Sequence, residues 1–167
     1  MFVSRNIVVV ILLGWAVAAF PTRAAAQTST ATLSANVGTV ASLTLSAVTI
    51  AFPDADPDLV AQIPATGGPL LITAKSRATQ AAQVVLSIQA ADDLRSGVTV
   101  ISASNITWTG SGPGFVAGTL STASSVTVAA WTGSGIRSGS QQFFFRNLWT
   151  HPTGTYTLTM TYTLTAP

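Results

Sequence analysis

The chain has 167 residues, 48% of them hydrophobic and 7% charged, with no cysteine. That length suits one domain, and so apolar a composition excludes a charge-rich disordered protein. With no glutamate and a single lysine, Lys75, an amphipathic helical bundle lacks residues for its wet faces, whereas a threonine- and serine-rich β-surface needs none.

Arg5 precedes an apolar run of 14 at residues 7–20 (IVVVILLGWAVAAF), which Pro21, Thr22 and Arg23 break before Ala24-Ala25-Ala26. This is the order of a secretory signal peptide, with cleavage expected after Ala26. The run is shorter than the ~18 apolar residues of a spanning helix, so no membrane span is expected in the mature form. Removing residues 1–26 of the 167 leaves residues 27–167 as a single domain of 141. Arg5 and Arg23 leave with the signal, so 5 basic residues then face 5 aspartates at zero formal charge. No basic field remains for nucleic acid or anionic lipid. The expected location is secreted or at the cell surface, with a core large enough to stand without disulfides.

Past residue 27 the dominant period is two. Ala31, Leu33, Ala35 and Val37 alternate with polar residues and read as a first strand. Leu43 and Leu45 share one face, but Val48, Ile50 and Phe52 change parity, which predicts a bulge or bend near Ser46 and Ala47. Strands are predicted at 70–75 and at 83–90, the latter with Val84, Leu86 and Ile88 inward. Five more are predicted, at 98–101, 106–109, 115–120, 126–131 and 142–146. Residues 58–62 and 91–95 read as short helical turns. Residues 154–166 then alternate without a break, with Tyr156, Leu158, Met160, Tyr162 and Leu164 on one face and threonines on the other. Short strands separated by glycine, proline and aspartate turns, at 53–58, 67–69, 92–97, 110–114 and 133–139, predict an all-β fold, an antiparallel sandwich or barrel.

Trp108-Thr109-Gly110-Ser111-Gly112 recurs as residues 131–135, and the two copies read as neighbouring strand ends that cap the core. Phe143, Phe144 and Phe145 make residues 142–146 apolar on both faces, as in a central strand or one covered by a partner.

Catalytic residues are not expected. The only histidine, His151, has no visible acid partner, and neither glycine turn makes a nucleophile elbow. Asp54, Asp56 and Asp58 are the candidates for a cation, because alternate carboxylates begin a calcium loop. Pro57 stiffens that run, and the loop's later glycine and glutamate are missing, so neither metal nor cofactor is expected. Trp108, Trp131 and Trp149, with Tyr156 and Tyr162, are candidates for a sugar-binding face, weighed against the commoner role of such residues in the core.

Two segments carry a family resemblance. Residues 32–52 (TLSANVGTVASLTLSAVTIAF) and 154–164 (GTYTLTMTYTL) resemble the first and last strands of archaic chaperone–usher pilus subunits and of the related spore coat protein U domains. The chain differs from them in having Ala41-Ser42-Leu43 where a cysteine is usual, and Pro53 after Phe52. The resemblance implies an immunoglobulin-like β-sandwich lacking one strand, completed by the N-terminal segment of the next subunit. Residues 27–37 would be that donor strand, with Ala31, Leu33, Ala35 and Val37 as assembly anchors. The implied partners are other copies or subunits, a periplasmic chaperone and an usher. The resulting expectation is a non-enzymatic structural subunit of a surface fibre, coat or matrix. The second reading is a self-complete secreted sandwich that binds a ligand such as carbohydrate as a monomer.

Overall fold

A computed structural model describes residues 30–167, so the signal-peptide expectation for residues 1–26 lies outside the described residues. Residues 36–167 form one compact unit. Its strands are β1 (Val40–Leu45), β2 (Gln62–Pro64), β3 (Leu70–Arg77), β4 (Gln83–Ala90), β5 (Leu94–Ser96) and β6 (Thr99–Ile101). After a 3₁₀ turn at Ala103–Asn105 come β7 (Ile106–Ser111), β8 (Gly118–Thr119), β9 (Val126–Thr132), β10 (Gly135–Arg146) and β11 (Met160–Thr165). Every ladder is antiparallel, and no α-helix occurs among the described residues.

The larger sheet has the order β1-β3-β10-β7-β8, with β2 on the far half of β10. The smaller has the order β11-β4-β9, and β5 and β6 form a separate hairpin. Period-two patterning gives each sheet a buried face. Leu70, Ile72 and Ala74 of β3, Trp108 of β7 and Phe143 of β10 share one core with Val84, Leu86 and Ile88 of β4 and Val128 of β9. Trp131 of β9 also crosses between the sheets, its Nε1 donating to Ser76 Oγ of β3 at 3.1 Å. The pairing satisfies the one polar atom of a large ring that is otherwise core.

Several sequence expectations are corrected. Residues 30–39 contain no strand, and all are exposed. The parity change after Leu45 is the expected bend, which falls at Ser46, where β1 also ends. Ser46 closes β1 by donating its N–H to the Leu71 carbonyl and accepting the Leu71 N–H on Oγ. Ile50 and Phe52 still reach the core from outside the sheet, while Val48 is fully in solvent. Residues 91–95 are not a helical turn, because Leu94 opens β5. The β5–β6 hairpin turns on Gly97, whose positive φ of 59° suits the first position of a two-residue loop. Only Gly118 and Thr119 of residues 115–120 are strand. β10, by contrast, begins at Gly135, so most of the expected glycine loop is ladder. Its phenylalanine stretch lies between β2 and β7, a central position as its two apolar faces imply.

The last segment keeps its facing but not its length. Tyr156, Leu158, Met160, Tyr162 and Leu164 are half-buried and the threonines exposed, yet the ladder begins only at Met160. Before it, Thr157 pairs instead with Arg95 of β5. The two Trp-Thr-Gly-Ser-Gly copies are not neighbours, since Trp108 and Trp131 lie in opposite sheets.

Candidate functional site

The two sheets are finished on one side and open on the other. Along β9, the edge is covered by the segment before β8: Val116 N–H donates to the Val128 carbonyl and Ala130 N–H to that of Gly114. β11 pairs only with β4, and β1 only with β3. Among the described residues no backbone hydrogen bond reaches the other edge of Met160–Thr165.

Burial follows the same division. The inward residues of β4 (Val84, Leu86 and Ile88) are 0% exposed. Those of β11 (Met160, Tyr162 and Leu164) and of β1 (Leu43 and Leu45) pack on the same core but are only half-buried. β1 and β11 come within 8 Å of one another (Cα–Cα) yet share no ladder. The result is a strip of half-buried apolar side chains between two edge strands, both with unpaired outer backbone groups among the described residues. An unpaired edge over partly covered apolar side chains is what strand addition requires.

One partly buried polar pair lies beneath it. Tyr162 donates its hydroxyl to Oε1 of Gln141 on β10, tying the open strand to the opposite sheet. Gln141 is 0% exposed, and its Nε2 has no partner. Burial pushes the Tyr162 phenol above its ordinary range, because the charged form would lose its hydration. Nothing in the one-dimensional pattern singled out this pair. Gln141 and Tyr162 are 21 residues apart and meet only through the sheet order.

The sequence-predicted residues fall in different places. Ala31, Leu33, Ala35 and Val37 are exposed, Leu33 at 96%. Asp54, Asp56 and Asp58 lie exposed in the loop before β2 and do not converge. Asp56 accepts the Asp58 N–H at 2.9 Å, and Asp58 accepts Nε1 of Trp149 at 3.0 Å. No group of three potential metal ligands occurs among the described residues. His151 lies with its ring centroid 5.4 Å from that of Phe145. Its pKa is lowered first by burial and then by the Arg146 charge, which favours a neutral ring.

The aromatic candidates do not form a platform. Trp108 and Trp131 are core residues, while Tyr156 and Tyr162 face inward. Trp149 alone of these stands in solvent, 70% exposed. Two surface hollows of about 220 and 340 Å³ are lined mainly by alanine, serine and threonine, without convergent charged groups. Comparison of the chain with protein-family models and with curated proteins returns no match.

Proposed function

We propose that the protein is an exported structural subunit of a bacterial-type surface fibre, coat or matrix, whose copies join by β-strand addition. The observation that carries this reading is the unpaired edge of β11 above half-buried core residues. The domain is then an immunoglobulin-like sandwich short of its last strand. In support, β1-β3-β10-β7 opposite β9-β4-β11 has the neighbour order of such a fold, although β9 follows β7 in the chain. Tyr156, just before the last strand, donates its hydroxyl to the Pro152 carbonyl at 2.9 Å, the contact of a tyrosine corner.

The donor is residues 27–37 of another copy. Its anchors Ala31, Leu33, Ala35 and Val37 span six residue steps, as do the inward positions Met160, Tyr162, Leu164 and Ala166. Both series extend roughly 20 Å at strand rise, so each anchor meets one groove position. Main-chain bonds to β11 supply affinity and the buried anchors supply register. Export through the signal at residues 1–26, a periplasmic chaperone occupying the groove, and an usher complete the proposal.

Light scattering over a range of concentrations tests it. The mature protein should self-associate, and deletion of residues 27–36 should leave it folded and monomeric. A strictly monomeric intact protein would refute the fibre reading and leave the monomeric binding module.

A further inference from the structure

The compact unit is electrically lopsided along its strands. β1 begins, β3 ends and β10 begins at one end, where Val40 pairs with Arg77 and Ser76 with Gly135. Lys75, Arg77 and Arg137 all lie in these last rungs. At the other end β10 finishes beside β2, and Asn147 holds the acidic loop by donating Nδ2 to the Ala55 and Val60 carbonyls. Asp54, Asp56 and Asp58 are there. Asp92 and Asp93 join them, following Ala90, which pairs with the first residue of β11. Against Arg95 and Arg146, the 5 aspartates leave about −3 in side-chain charge at this end, opposite about +3 at the other.

Each charged end also exposes large apolar groups. Leu59 (82%) and Trp149 (70%) stand beside the three loop aspartates; Ile136 (62%) and Val40 (56%) stand beside Lys75 and Arg77. Apolar residues with a charged rim are the usual composition of an interface, and tryptophan is a frequent anchor in one.

Resting on the strand-addition reading, we infer that successive copies also meet end to end, the acidic end of one against the basic end of the next. Strand direction leads to the same arrangement. β11 runs from the acidic end to the basic end, since Met160 pairs with Ala90 and Thr165 with Val85. A donor strand antiparallel to β11, like every other ladder in the unit, leaves the acceptor at its acidic end. It continues through Gly38 into its own β1, which starts at its own basic end. Parallel addition would bring two basic ends together. The partner is a second copy of this chain, and charge selects the direction of stacking.

Charge-swapped variants of the mature protein test this by time-resolved light scattering in 20 and 500 mM NaCl. One carries Asp54→Lys, Asp56→Lys and Asp58→Lys; the other carries Lys75→Glu, Arg77→Glu and Arg137→Glu. Each alone should assemble at least about 10-fold more slowly than wild type at low salt, and their equimolar mixture should recover, because steering between opposite ends is restored. High salt should level all four samples as screening shortens to a few ångströms. A fluorescent peptide of residues 27–37 is added to each variant as a control for the groove. Peptide binding with unchanged assembly rates, or a mixture no faster than its components, overturns the end-to-end contact while strand addition stands. Failure of the peptide to bind wild type overturns both.

Discussion

Tyr162→Phe removes a single oxygen from the open strand and tests whether the polar pair beneath it is formed. The hydroxyl is the recorded partner of Gln141 Oε1, and Gln141 is fully buried with its Nε2 already unpaired. Loss of the hydroxyl strands the second end of the amide at a site closed to water. That costs about 1–3 kcal/mol, much more than removal of an exposed hydroxyl. In a domain of this size the melting temperature should fall by roughly 3–10 °C. Gln141→Leu in the same background should recover most of the loss, because an apolar side chain of similar volume needs no partner. The phenol adds an independent signature in alkali. Its folded pKa is raised by burial, so above about pH 10 the unfolded chain loses its proton first and binds fewer protons than the native state. Native stability is complete below that pH. It then declines by up to ~1.4 kcal/mol per pH unit until the folded phenol itself ionises. Urea unfolding between pH 8 and 11.5 should show that slope in wild type and its loss in Tyr162→Phe. Equal stability of the two proteins at pH 7, with identical alkaline slopes, would refute the buried pair.

Leu86→Ala should cost about 2–5 kcal/mol in the monomer, whereas Leu164→Ala, on the same inward face but half-exposed, should cost less than half as much; equal losses in urea titration would mean that the groove is closed. Gly118→Ala places a methyl against the indole of Trp108, a ring 2% exposed with Nε1 bound to the Val116 carbonyl, and should cost about 1–3 kcal/mol by calorimetry. Calcium should leave the melting temperature unchanged, since Asp54, Asp56 and Asp58 do not converge; a rise of many degrees abolished by Asp56→Ala would contradict this.

The β class was legible because alternation survives wherever one face is buried. Val84, Leu86 and Ile88 were assigned inward correctly for that reason, as were the apolar positions of residues 154–166. Strand ends were less legible, because they depend on partners far along the chain. Ser46 ends β1 through Leu71, and Thr157 is diverted to Arg95. Residues 31–37 show the limit most clearly. Their period is that of a strand, but period alone supplies no neighbour, and none of these residues is in a ladder. The glycines of residues 133–139 were read as loop because of their composition. Gly139 instead belongs to β10, where a Cβ would strike the Phe115 ring, so its small size serves packing. The half-buried strip at β1 and β11 was hidden, since which edges remain unpaired is decided by the order of strands across both sheets.

Thermal unfolding of residues 38–167, titrated with a synthetic peptide of residues 27–37, tests strand addition most directly. The peptide should raise the melting temperature steadily with the logarithm of its concentration, reaching about 2.7 kcal/mol of stabilisation at a hundredfold excess over its Kd. The same peptide carrying Leu33→Asp should raise it much less, because its anchor would take a charge into an apolar groove. A melting temperature indifferent to the unmodified peptide at millimolar concentration would contradict the proposal that this edge awaits a strand.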